Sequence, residues 1–328
     1  MDLVDIALSS LSFLTLKEKI LLKKNIDSLD SLAVLSIKDI SSIVGRVINR
    51  SVWNGRETSI AARKGASIME SQHIHAAYYK DCNYPALLRE IINPPYMLFY
   101  RGNIISLQKE CVSVVGTRNV CKETAQSSFE FARDAACDGV TVVSGNAIGI
   151  DCFAHKGALS SGMSSSTVAI LPCGIDTIVP HGHKVLVQKI LESDGLVASE
   201  YIPGCPAVAW RFVQRNRLIA ALSLATVVMQ APPGSGALIT ASFALDYNRD
   251  VVFHKSGFCP EALKISDNTE KRLRADKKNE KKLARSSHYY IEAGAPVISS
   301  YAEYKTVKHA APGTLGMDFP GQLSFAGL

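Results

Sequence analysis

The chain has 328 residues, long for one domain and comfortable for two, with 47% apolar residues to bury and 20% charged. That balance excludes a disordered polyelectrolyte, and no apolar run approaches the length that spans a bilayer. Net charge is +6, of which +5 falls between Lys264 and Arg285, a concentration that either attracts a polyanion or marks a solvated insertion.

Residues 1–75 read as a helical module, with Leu14, Leu16, Ile20, Leu21 and Leu22 at helix-like spacing and polar breaks at Asn25–Ser28 and near Gly45. Met1–Ser10 carries two aspartates and no basic residue, the reverse of a signal peptide, so a cytoplasmic protein is expected. The stretch Leu35–Gly45 reads as a hairpin between short helices, for packing rather than for holding phosphate. Residues 76–102 form a Pro- and Tyr-rich connection in which Pro94-Pro95 forbids a regular helix, so a short extended element is expected.

From Cys111 the pattern alternates. Strands are predicted over Cys111–Val115, Val140–Val143, Thr167–Leu171, Leu196–Ser199, Ala225–Met229 and Asp250–His254, with amphipathic helices such as Ala125–Cys137 and Lys184–Leu191 between them. Short Val/Ile-rich strands separated by helices imply an α/β fold: a mostly parallel sheet covered on both faces, with its ligand site beyond the C-terminal strand ends. The basic stretch 264–285 is expected to interrupt this domain as a mobile arm. Order resumes at 289–298, and the tail from 311 to 328 is expected to be flexible.

Four segments after strand ends carry the candidate chemistry. In the first, Gly116 lets backbone approach a ligand and Arg118 can grip a phosphate. In the second, Ser144, Gly145 and Gly149 lie where a helix N-terminus presents free N–H groups. Asp151 is expected as the N-cap of that helix, and His155, one turn on, as a capping or packing histidine rather than a base. The third, read as a loop over Arg211–Arg217, offers Phe212 for base stacking, or else for the core, with Arg215, Asn216 and Arg217 beside it. Arg217 has two readings: phosphate contact, or an internal brace to a carboxylate such as Glu200. In the fourth, Ser235, Gly236 and Thr240 open another helix. In a parallel sheet the segments carrying Arg118, Arg215 and Arg217 are expected to converge on one edge.

No GxGxxG, Walker A or Gly-x-Ser-x-Gly pattern occurs, and the eight cysteines form no CxxC pair. No catalytic residue, metal or cofactor is therefore predicted, and the thiols are expected to be reduced and mostly buried.

The stretches VSVVGTR, SGNAIGIDCFAHKGAL, AILPCGIDTIVP, SEYIPG, RNRLIAALS and SGALITASFAL, with the lead-in NYPALLREIINPPYMLFYRGN, resemble the DNA-processing protein A (DprA/Smf) family over roughly residues 80–256, with a short return at 289–300. The resemblance implies an extended Rossmann-like domain over 76–310, preceded by a small helical, SAM-like domain. It implies single-stranded DNA binding, a homodimer, and delivery of a RecA-type recombinase in natural transformation. Ile148 stands where the family often has Arg, Gln230 where Glu is usual, 264–285 is an insertion, and the winged-helix domain of many relatives is not expected after residue 310. The rival reading is a phosphoribohydrolase of the lysine-decarboxylase-like type, whose signature ends in a glutamate. Here PPGSGALITA is followed by no Glu before Tyr247. A nucleotide-sensing module without catalysis is a third reading.

Overall fold

A computed structural model describes residues 2–49, 53–275, 280–283 and 285–308. The tail 311–328 and the expectation of its flexibility lie outside the described residues. Among the described residues five helices precede the sheet: α1 (Leu3–Ser9), α2 (Leu16–Lys24), α3 (Leu29–Val34), α4 (Ile37–Val44) and α5 (Gly55–Ser71), and a one-turn α6 (Ala86–Arg89) lies farther along. Their starts are written locally. The Thr15 and Ser36 side chains accept from Glu18 N and Asp39 N, and the two carboxylates return the bond to the cap backbone. The segment 35–45 is thus mostly one capped helix, closed by left-handed Gly45, and not a hairpin.

The main body is one nine-stranded sheet. Its strands are β1 (His75–Tyr78), β2 (Met97–Gly102), β3 (Cys111–Val115), β4 (Thr141–Ser144), β5 (Thr167–Ile170), β6 (Leu196–Ser199), β7 (Ala225–Val228), β8 (Asp250–His254) and β9 (Val297–Ile298). The spatial order is β1-β2-β6-β5-β4-β3-β7-β8-β9. β1 and β2 are antiparallel to their neighbours, and the remaining pairs are parallel. The six strands expected between Cys111 and His254 are all present, with ends shifted by at most one residue.

Helices cover both faces. α7 (Lys122–Cys137), α8 (Ile150–Ser160) and α15 (Tyr301–Lys308) bury Val112, Val114 and Val142 against Phe131, Ala154 and Tyr304. On the opposite face α10 (Ala209–Ala221), α11 (Gly236–Asp246) and α14 (Ser287–Glu292) close over Val115, Val143 and Phe253. α9 (Lys184–Glu192) joins the N-terminal helices in a continuous apolar cluster with β2 and β6. The central strands β3–β7 are buried throughout because both faces are occupied, which is why they read as apolar runs rather than alternations. β3 leads to β4 on one side while β7 lies on its other side, so the order reverses there. The crevice at the C-terminal ends of β3 and β7 is the topological switch point. No helix among the described residues is long and apolar enough to cross a membrane.

Candidate nucleic-acid interface

Above that switch point lies a cavity of about 520 Å³, lined by Gly116–Asn119 after β3, Pro232–Ala237 after β7, and part of α10. Two of its walls exist because glycines permit them. At Gly149 (φ +83°) a Cβ would fall 2.4 Å from the Thr117 carbonyl oxygen, and at Gly116 a Cβ would fall 2.3 Å from Ile150. The first loop therefore seats directly on the N-terminus of α8, and Ile150 N donates to Thr117 O at 3.2 Å. The N-cap is Gly149, not Asp151. Asp151 sits inside the first turn and its Oδ2 accepts from Ala147 N at 3.2 Å. It ties down the loop it follows, which is a structural use reached by a different geometry. Burial pushes its carboxyl up, while Arg215 and these N–H groups pull the other way.

The third segment is not a loop. Arg211–Arg217 lies within α10, and a helix sends residues two apart to opposite sides. Phe212, Arg215, Asn216 and Ile219 fall at i, i+3, i+4 and i+7 and line the crevice. Trp210, Arg211, Gln214 and Arg217 face away, into a second cleft. The expected convergence of three arginines thus fails for Arg217. Its guanidinium pairs with Glu200 and donates to Asn93 O at 2.9 Å, the internal brace.

Arg215 does face the crevice but is 3% exposed and donates to the carbonyls of Gly145 and Ile170. Burial lowers its pKa to about 10, with Asp151 opposing and Arg118 reinforcing the shift. It serves as a strut joining the ends of β4 and β5. Gly145 is small for the same reason, since a Cβ there would lie 2.5 Å from Arg215 Nη1. Ser144 is also committed, its hydroxyl donating to Val114 O at 2.7 Å.

Arg118 and Phe212 occupy the mouth. Arg118 is exposed and its guanidinium lies 5.4 Å from the centre of the half-buried Phe212 ring. Asn216 donates to Gly236 O at 3.2 Å, and Thr240 Oγ1 donates to the same carbonyl at 3.2 Å. Ser235, at the start of α11, lines the cavity, and its buried hydroxyl has no partner among the described residues. The first turn of a helix leaves N–H groups without intrahelical partners, so the start of α11 and this hydroxyl are the groups here that can meet an anion. His155 is fully buried, its Nδ1 2.7 Å from Thr167 Oγ1, and burial lowers its pKa to about 3. It is neutral packing at physiological pH.

Sequence reasoning missed one wall of the cavity. The described residues of the expected mobile arm are mostly helical: α12 (Pro260–Arg274), followed by α13 (Glu280–Leu283). Ala262 and Cys259 pack on Cys121, and Ile265, Thr269, Arg272, Leu273 and Lys282 line the crevice. Gly234 (φ +73°) meets this wall, since a Cβ there would lie 3.1 Å from Lys282 Cβ and 3.3 Å from Leu273 Cδ1. The signal was present: Ala262, Ile265, Thr269 and Leu273 are spaced for one helix face, with Pro260 at the first turn. Among the described residues no group of His, Cys, Asp and Glu is placed to hold a metal.

Comparison with known proteins gives a consistent picture. Residues 75–303 match the model of the family described as DNA recombination-mediator protein A. Protein Smf of Borreliella burgdorferi is 33% identical over 261 residues, 79% of this chain and 82% of that protein. The DNA processing protein DprA of Streptococcus pneumoniae is 40% identical over 171 residues, 52% of this chain and 59% of that protein. The X-ray structure of the Streptococcus pneumoniae DNA processing protein A superposes with a TM-score of 0.68 at 28% identity, covering 92% of this chain and 95% of the other. A structure of DNA processing protein A from Helicobacter pylori, described for its single-stranded DNA binding mode, superposes with a TM-score of 0.51 at 29% identity, covering 56% and 81%.

Proposed function

The chain belongs to the DNA recombination-mediator protein A family, and on that premise we propose that it binds single-stranded DNA at the β3/β7 crevice and turns nothing over. The observation that carries this reading is the mouth of the crevice. Arg118 and the Phe212 ring stand together beside the free N-terminus of α11 and the unpartnered Ser235 hydroxyl. A guanidinium and helix N–H groups suit phosphate, and an aromatic face suits an unstacked base. Arg272 and Lys282 add charge from the opposite wall. Against the phosphoribohydrolase reading, the one carboxylate among the described lining residues is Asp151, which is buried and bonded to Ala147 N. Nothing there is poised as a general acid or base. The homodimer, delivery of a RecA-type recombinase and natural transformation rest on the family resemblance.

The test is a fluorescence-anisotropy titration with labelled single-stranded and duplex oligonucleotides. Tighter binding of the single strand, weakening as salt rises, is expected. Equal affinity for duplex, or protein-dependent release of free base from a nucleotide, would overturn the reading.

A further inference from the structure

The face of α10 turned away from the crevice borders a second cleft, of about 920 Å³, between the N-terminal helices and the segment after β6. Its size falls in the range of small-ligand sites. Four buried side-chain atoms of residues lining this cleft have no hydrogen-bond partner among the described residues: Glu200 Oε1, Tyr201 Oη, Arg211 Nε and Arg217 Nε. Buried polar groups are normally paired, so four unmet ones in the walls of one cleft are groups that a polar ligand could satisfy. Arg217 is 6% exposed, so its N–H is fixed in direction.

The rest of the lining narrows the ligand. Arg211 lies 4.9 Å from the Tyr201 ring centre and 5.1 Å from that of Trp210, and Trp210 remains 55% exposed. An exposed indole backed by a guanidinium is a stacking platform for a planar ring. Lys19, Lys64, Arg211 and Arg217 line the cleft, with Glu200 the one carboxylate among the described lining residues, so the cleft favours an anion. Lys19 is held there although burial lowers its pKa to about 8.

We propose that this cleft is a second binding site, for a nucleotide: a planar base on Trp210, its edge read by the Arg217 and Arg211 N–H groups, Tyr201 Oη and Glu200 Oε1, with phosphate toward Lys64. Two sources share this chemistry. One is a free mononucleotide. The other is a nucleotide of the strand held in the crevice, since Trp210 and Phe212 stand two residues apart on the first turn of α10 and a strand crossing that turn reaches both faces. The second source rests on the proposed function, and the first does not.

Two measurements test the site. The first is equilibrium dialysis of dTMP against wild type, Trp210→Ala, Tyr201→Phe and Arg118→Ala. The second is anisotropy with labelled oligo-dT of increasing length on the same proteins. Tyr201→Phe removes only an unpartnered hydroxyl, so a purely structural role predicts unchanged binding and unchanged or higher thermal stability.

For a free nucleotide, dTMP affinity falls roughly tenfold in Trp210→Ala and several-fold in Tyr201→Phe, and is unaltered in Arg118→Ala. For a strand nucleotide, long oligonucleotides lose a similar factor in Trp210→Ala while short ones do not. Wild-type affinity of both cleft variants for dTMP and for every oligonucleotide overturns the site. So does dTMP binding lost only in Arg118→Ala. If wild type binds no oligonucleotide, the single-strand reading falls while the dTMP arm still decides this one.

Discussion

Two arginines that look alike in the sequence should behave in opposite ways when removed. Arg118 is exposed over Phe212, whereas Arg217 is buried in an ion pair with Glu200. Arg118→Ala removes an exposed cation–π contact, worth about 0.5–1 kcal/mol, so the melting temperature should barely move. On the proposed binding mode it also removes one phosphate contact, a charge-assisted bond of about 1.5–3 kcal/mol, or roughly tenfold or more in affinity. The salt slope for single strands should flatten by about 0.7. Arg217→Ala leaves the Glu200 carboxylate, 15% exposed and with Oε1 already unpartnered, without its counter-charge. Breaking a buried pair in this way costs about 3–5 kcal/mol, a large share of the 5–15 kcal/mol that holds a typical protein folded. The salt slope of whatever remains folded should be that of wild type. Urea unfolding and anisotropy at several salt concentrations separate the two outcomes. A stable Arg217→Ala protein with a flattened slope, or an Arg118→Ala protein with wild-type affinity and slope, would refute the assignment of faces on α10.

Gly149→Ala should lose about 2 kcal/mol or more, because φ is +83° and the new Cβ meets the Thr117 carbonyl; equilibrium unfolding measures it, and wild-type stability would contradict the close seating of the first loop on α8. Replacing Arg272 and Lys282 together by Ala should leave the fold intact, since both are exposed, and should weaken single-strand binding with a slope loss of up to two phosphates' worth; unchanged binding would make that wall a solvated face. Lys19→Met should stabilise the protein at pH 7, because burial, with Arg217 adding and Glu200 opposing, holds the ammonium's pKa down to about 8 and outweighs the lost bond to Ser9 O. The folded pKa, about 8, lies below the unfolded value, so the unfolded chain holds more protons between the two. Wild-type stability therefore rises with pH across that window and the gap to Lys19→Met closes; a gap independent of pH between 7 and 10 would show that the ammonium is not desolvated.

What the amino-acid sequence determined by itself is whatever depends on a few neighbouring residues. The strands of the sheet from Cys111 to His254 announce themselves as short Val- and Ile-rich runs, because both faces of a parallel sheet are covered and no alternation is needed. The glycine turns after β3, β4 and β7 are equally local, since close backbone approach and positive φ leave few residue types to choose from. Side-chain direction is different. Seven residues with three arginines, preceded by a Val208 that makes no capping bond, look like a polar loop. Only after they are placed in α10 does the 3.6-residue period turn Arg215 inward as a strut and Arg217 toward Glu200. The long-range partners lay equally out of reach. Cys121 and Cys259, 138 positions apart, set α12 against the crevice, and Lys19 is buried only because the N-terminal helices pack beside Glu200. Local chemistry is written in local sequence, whereas which of several arginines meets solvent, a carboxylate or a ligand is decided by the packing of distant segments, and that only the tertiary structure supplies.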